Sequence, residues 1–294
     1  MKSNYTSAQA KNEIKQLYFQ KLDELPLHYE LIKIETTFGD TNVIATGQKD
    51  KTPLVLLHGY YCSAPLALDA LIGLTKDFRI YAVDILGQAN LSAENRLSKT
   101  DNTYGKWMYE ILSRLNLWNV VLVGISLGGF VTLKTLIFDE RRIAKTFLIT
   151  PDGIAKAHFL TTALKIKLPI ALYKRFKNPG HLQELTNNLF SEKNRYYTQL
   201  LAIILKNFIP DSANCPLFNK KDVAQISTPL YIFAAKYDIL FPGIKLLKRA
   251  KKLFPSIQDV WLLKNSKHIL RTDDNKLISQ IIYAVSTHPK NLLS

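Results

Sequence analysis

The 294-residue chain, 47% apolar, can bury a large core as one domain or as one domain with an insertion. Its most hydrophobic stretch, LTTALKIKLPIALY, is interrupted by Lys165 and Lys167, which argues against a membrane span, and its two distant cysteines, Cys62 and Cys215, fit neither a disulfide framework nor a zinc site. A formal charge of +15 favours polyanions, but the lysines are scattered and no nucleic-acid module is present, so a solvated basic surface is expected, with no specific nucleic-acid partner and contact with an anionic membrane as the minor alternative.

At the amino terminus, MKSNYTSAQAKNEIK lacks the apolar stretch and cleavage site of a secretory leader, and a reduced, cytoplasmic setting is expected. The segment AQAKNEIKQLYFQKLDE carries Ile14, Leu17, Tyr18 and Leu22 at helical spacing and predicts an amphipathic helix. HYELIKIETTF and TNVIATG then alternate with period two across a Gly-Asp turn, as strands do. From PLVLLHG onward the pattern changes. RIYAVD, NVVLVG, TFLITPDG, PLYIFAAKYD and DVWLLKNSKH are short apolar runs, most of them separated by helix-length segments, the signature of parallel strands buried on both faces.

Between residues 154 and 222 this alternation stops. The stretch is helix-like, with breaks expected at Pro169, Asn178-Pro179-Gly180 and Ile209-Pro210-Asp211, and is too long for a loop. It predicts a helical cap inserted after strand six, residues 1–153 and 223–294 forming the body. From Lys156 to Lys206 the cap holds nine Lys/Arg against two Glu, together with Phe159, Leu160, Leu164, Ile166, Leu168 and Ile170, and it is expected to cover something apolar at the carboxyl edge of the sheet.

Ligands of open parallel sheets gather at that edge. There NVVLVG delivers Ser126 within Gly124-Ile125-Ser126-Leu127-Gly128-Gly129, between a strand and a helix. A tight turn is the plain explanation. A nucleophile held on a strained elbow is the sharper one, since G-x-S-x-G needs small residues where strand and helix converge. A serine hydroxyl requires a base. Of six histidines, His28 opens the first strand, His58 ends the third, His158 and His181 lie in the cap and His288 in the tail; His268, in KNSKHIL after the last strand, is the one able to reach over the edge. Asp238 in AAKYDILFP is the expected orienting carboxylate, with Asp152 in TPDG as its competitor; Ser126, Asp238, His268 is the chain order this arrangement demands. The oxyanion formed on attack needs waiting donors, for which the backbone N–H groups of Leu127 and Tyr60 are best placed, and Tyr60, Tyr61 and Leu127 are expected to line the pocket. Cys62 is expected to be a small core residue.

HGYY, GISLGG, FAAKYD and NSKHIL resemble, in that order, the oxyanion loop, nucleophile elbow, acid loop and histidine loop of the α/β-hydrolase superfamily. YAVDILGQANLS resembles its strand-four segment, although Gly87-Gln88-Ala89 stands where Gly-His-Gly is usual, and Ala235 where a glycine is common before the acid. The leading helix, DILGQANLS and the capped layout are most similar to bacterial-type carboxylesterases. The resemblance implies a mostly parallel eight-stranded sheet flanked by helices, and a mechanism without metal or cofactor: Ser126 attacks an ester carbonyl and water then releases the acid. A small or medium ester with an apolar acyl group is the expected substrate. A C–C, thioester or peptide hydrolase with the same triad, and a small-ligand receptor of this fold, remain alternatives.

Overall fold

The computed structural model describes residues 3–211 and 213–287, so His288 lies outside the described residues. The two alternating segments and the six apolar runs form strands β1 (Tyr29–Ile34), β2 (Thr41–Thr46), β3 (Pro53–Leu57), β4 (Arg79–Val83), β5 (Val120–Ile125), β6 (Ile143–Ile149), β7 (Leu230–Ala235) and β8 (Ile257–Leu263). They pair in one sheet in the order β1-β2-β4-β3-β5-β6-β7-β8. β2 is antiparallel to both β1 and β4; all pairs from β4 onward are parallel. The connection between β1 and β2 is too short for a crossover and permits only the antiparallel pairing, whereas the later strands are joined through helices.

Around the sheet run α1 (Ala8–Asp23), α2 (Ala64–Ala70), a 3₁₀ turn (Ile72–Lys76), α3 (Thr103–Arg114) and α4 (Leu127–Phe138). Between β6 and β7 come α5 (Phe159–Thr162), a π turn (Ala163–Lys167), α6 (Leu168–Phe176), α7 (Pro179–Leu189), α8 (Arg195–Asn207) and α9 (Lys220–Val223); α10 (Gly243–Leu253) and α11 (Thr272–Thr287) follow. The continuous apolar runs are explained by burial on both faces. Val55 and Leu57 of β3 join Trp107, Phe130 and Leu246 of α3, α4 and α10, whereas Leu54 and Leu56 join Leu22, Leu68 and Ile278 of α1, α2 and α11. Each such side chain contributes about 1.5–3 kcal/mol of burial, so either face alone would be costly to expose.

Pro169 does not break its helix as expected. It occupies the first turn of α6, where its missing N–H costs nothing, and the chain enters through the wider π turn with Leu168 still helical (φ −65°, ψ −52°). The break at 178–180 is real: Lys177 is left-handed (φ 55°), and Asn178 Oδ1 caps α7 by accepting the Gly180 N–H at 2.8 Å.

The leading helix does more than cover the sheet. Tyr18 and Leu22 pack on the strands, but Ile14 and Leu17 pack with Leu200, Ile204 and Phe208 of the insertion. A bridge between Tyr5 and Phe208, and the Thr6 N–H donated to the Asn207 carbonyl at 2.9 Å, extend this contact. α1 thus straps α8 to the body, leaving α5 and α6 on the far side of the insertion.

Candidate active site

The turn from β5 into α4 holds Ser126 at φ 53° and ψ −112°, a region that residues with a Cβ avoid. Close packing demands the glycines around it. A Cβ on Gly124 would stand 2.4 Å from the Gly128 carbonyl oxygen, and one on Gly128 would stand 2.3 Å from that of Leu57. Ser126 N–H donates to Ile149 O (3.0 Å), while its carbonyl accepts from Gly129 N (2.9 Å) and Asp152 N (3.0 Å). The main chain is therefore fixed from three sides, and the side chain stands free of the strand.

Three side chains from separate elements meet there. His268 Nε2 lies 3.1 Å from Ser126 Oγ, and its Nδ1 lies 2.8 Å from Asp238 Oδ2. Asp238 follows β7, and its other oxygen, Oδ1, accepts the N–H groups of Leu240 (2.7 Å) and Phe241 (3.0 Å). The loop therefore presents Oδ2 to the imidazole, and the ring of Phe241 packs edge-on against His268 at 5.3 Å. Burial pulls the His268 pKa down, but the Asp238 charge and hydrogen bond, with the Asp152 charge, pull it up and prevail, so it lies above the ordinary histidine value.

Asp152 is held differently. Its Oδ1 accepts the Gly153 N–H at 2.6 Å, and burial raises its pKa. Its main chain braces the elbow, but Asp238 is the carboxylate that engages His268.

His58 is wholly buried and explains the loop after β3. Its Nδ1 lies 2.8 Å from the Gly59 carbonyl and must donate, and its Nε2 accepts from Ile85 N at 3.0 Å. Burial depresses its pKa to about 4, so the ring is a neutral strut. Beside it Asp84, raised to about 6 by burial, accepts the Ala64 N–H at 2.9 Å and ties the start of α2 to β4. Between these anchors Tyr61 is left-handed (φ 52°), next to Tyr60. The elbow and this loop touch closely, since a Cβ on Gly59 would stand 3.1 Å from Ser126 Cβ.

Ser126 and His268 open into a cavity of about 1250 Å³. Tyr60 and Tyr61 line it, whereas the side chain of Leu127 does not: it is fully buried in the core beneath α4. Among the lining residues that sequence reasoning did not assign to the pocket are Gln88, Thr150 and Cys215, although Gln88 stands in the segment that resembles the strand-four turn. The left-handed Thr150 (φ 42°), immediately after β6, had a local clue in its place at a strand's carboxyl end. Cys215 Sγ lies 3.4 Å from the Tyr60 hydroxyl. Cys62 is buried against the insertion, with its thiol pushed up to about 12 by burial.

Sheet order, elbow and convergence at the strand ends define the class: the chain has the α/β-hydrolase fold, and residues 52–170 match the family model of the alpha/beta hydrolase fold. By its relatives it is carboxylesterase-like. It is 26% identical over 271 residues to carboxylesterase YbfK of Bacillus subtilis, covering 90% of each chain. It is 24% identical over 274 residues to the uncharacterized carboxylesterase nap of the same organism, covering 90% of this chain and 89% of that one. In fold it is similar to the crystal structure of naproxen esterase (carboxylesterase NP) from Bacillus subtilis, with a TM-score of 0.81 at 22% identity, covering 94% of this chain and 98% of that one.

Proposed function

We propose that the protein is a serine esterase that cleaves carboxylic esters through an acyl-enzyme. Ser126 is the nucleophile, His268 the general base and acid, and Asp238 the group that orients His268. The observation that carries this is the continuous relay from Asp238 Oδ2 to His268 Nδ1 at 2.8 Å and from His268 Nε2 to Ser126 Oγ at 3.1 Å. With Nδ1–H donated to the carboxylate, the Nε2 lone pair faces the hydroxyl and takes its proton as Oγ attacks the ester carbonyl. The N–H groups of Tyr60 and Leu127 receive the oxyanion; Leu127, first residue of α4, has an N–H with no intrahelical acceptor. Collapse of the tetrahedral adduct expels the alkoxide, which takes the proton from Nε2. Water, deprotonated by the same nitrogen, then releases the acid. The relay invokes no cofactor.

Residues 154–222 serve as the cap and Tyr61 as a pocket wall. The cap's Phe159, Ile166, Ile170 and Leu185 line the cavity that holds Ser126, which supports an apolar acyl group; a small or medium ester is the substrate we propose. The test is hydrolysis of p-nitrophenyl esters of graded acyl length by wild-type protein and Ser126→Ala. The variant is expected to lose about 10⁴-fold or more in kcat. Equal rates in the two proteins would end the proposal.

A further inference from the structure

The outermost helix of the insertion, running from α5 through the π turn into α6, is apolar on two sides. Phe159, Thr162, Ile166 and Ile170 line the cavity. Away from it, Leu160, Leu164 and Leu168 follow at intervals of four and so share one face. These three expose 58%, 60% and 46% of their surface, and Phe159 and Phe176 at the two ends expose 71% and 62%. Isolated bare leucines are ordinary on a protein surface; a ridge of three, with bare Phe176 at one end and Phe159 exposed at the cavity rim at the other, is the kind of patch that marks an interaction site.

The charges around the ridge indicate what covers it. From 156 to 177 the chain carries Lys165, Lys174, Arg175 and Lys177, with Lys156 and Lys167 at the cavity lining, and no acidic residue. Lys167 Nζ stands 5.7 Å from the Phe159 ring centre, and Arg175 Cζ stands 5.4 Å from that of Phe176, so cations accompany the exposed rings. Across a shallow groove from Lys165 lie Lys236, Lys267 and the half-exposed Tyr237. A second copy of the chain would bring this positive field against itself. A bilayer with anionic headgroups offers an apolar bed for the leucines and phosphates at the level where lysine side chains end. No helix among the described residues is long and apolar enough to cross a membrane, so the contact is peripheral.

We propose that the 159–176 face docks on the surface of an anionic lipid bilayer, with Leu160, Leu164 and Leu168 seated at the headgroup–acyl boundary. The opposite side of the same helix walls the cavity, so docking places the cavity one helix thickness from the lipid. Delivery of a lipid-dissolved ester to Ser126 rests on the function proposed above; docking itself does not.

The test is co-flotation of the purified full chain with vesicles of phosphatidylcholine mixed with phosphatidylglycerol, and with vesicles of phosphatidylcholine alone. Wild-type protein and Ser126→Ala are expected to float equally with the mixed vesicles and far less with the neutral ones. The triple variant Leu160→Ser, Leu164→Ser, Leu168→Ser replaces none of the cavity-lining residues. It is expected to lose at least about tenfold in bound fraction while keeping its melting temperature and its rate of fluorophosphonate labelling at Ser126. The double variant Arg175→Glu, Lys177→Glu, which leaves the ridge intact, is expected to lose the preference for anionic vesicles, and this decides the matter if the triple variant is unstable. Three results would overturn the proposal: no wild-type flotation, flotation unchanged in the variants, or a wild-type dimer that the triple variant converts to monomer. Loss of ester hydrolysis without loss of flotation would count against the esterase proposal alone.

Discussion

Replacing Asp238 by asparagine separates the charge of the orienting group from its shape. In the native loop Oδ1 accepts the N–H groups of Leu240 and Phe241 at 2.7 and 3.0 Å, while Oδ2 accepts from His268 at 2.8 Å. Asparagine has a single side-chain oxygen, and two main-chain donors already claim it. Its NH₂ group must then face Nδ1. Two donors cannot share that contact, so the imidazole takes the tautomer protonated on Nε2. The nitrogen 3.1 Å from Ser126 Oγ then holds a proton where it must accept one. The wrong tautomer costs serine hydrolases about 10⁴-fold in kcat, or about 5.4 kcal/mol at 1.36 kcal/mol per decade. Stability should change little, because both main-chain bonds survive. The assay is steady-state hydrolysis of p-nitrophenyl butyrate with a thermal melt as control, and with Asp152→Asn in parallel. Asp152 serves Gly153 rather than the imidazole, so its variant should stay within about tenfold of wild type. If Asp238→Asn kept a rate within tenfold, or Asp152→Asn lost more than it, Asp238 would not be the orienting residue.

The raised pKa of His268 sets the pH dependence. The protonated ring cannot act as a base and persists above the ordinary pKa of about 6.5, so the acid limb of the kcat/KM profile should fall above that pH. The Asp152 charge contributes to the rise, so Asp152→Asn should move the limb to lower pH; an unmoved limb in stopped-flow or steady-state profiles would contradict this. Gly128→Ala places a Cβ 2.3 Å from the Leu57 carbonyl oxygen, where only a main-chain shift can relieve it. It should cost about 2–4 kcal/mol in a denaturant melt and disable the elbow, and a variant of wild-type stability and rate would show that the packing is looser than described. Ile14→Ala empties a buried contact between α1 and α8. About 2–4 kcal/mol should be lost there, read as faster amide exchange in α8 than in β5.

The sheet was legible because buried parallel strands write themselves as short apolar runs, and Ser126 because its glycines are imposed by packing that would put a Cβ on Gly128 2.3 Å from the Leu57 carbonyl oxygen. His268 followed from chain order. The letters favoured Asp238 and left Asp152 as a competitor, since both follow strands; the two N–H groups that turn Asp238 toward the ring are a property of the folded loop. Leu127 illustrates a second limit. Its place beside the nucleophile suggested a pocket wall, yet the first turn of α4 sends its side chain into the core. Pro169 was read by its usual effect as a break, and the π turn ahead of it changes the outcome. The pairing of α1 with α8 joins residues nearly two hundred positions apart along the chain and leaves no local periodicity to detect. For the same reason the apolar content of 159–176 was legible, but not that one side of it faces a cavity and the other solvent.

Intact-protein and peptide mass spectrometry after brief exposure to a fluorophosphonate probe asks whether the relay activates one hydroxyl. One adduct per chain is expected, on the peptide containing Ser126, formed in wild-type protein and lost in both Ser126→Ala and His268→Ala. An unlabelled native protein, or an adduct on any other residue, would contradict it.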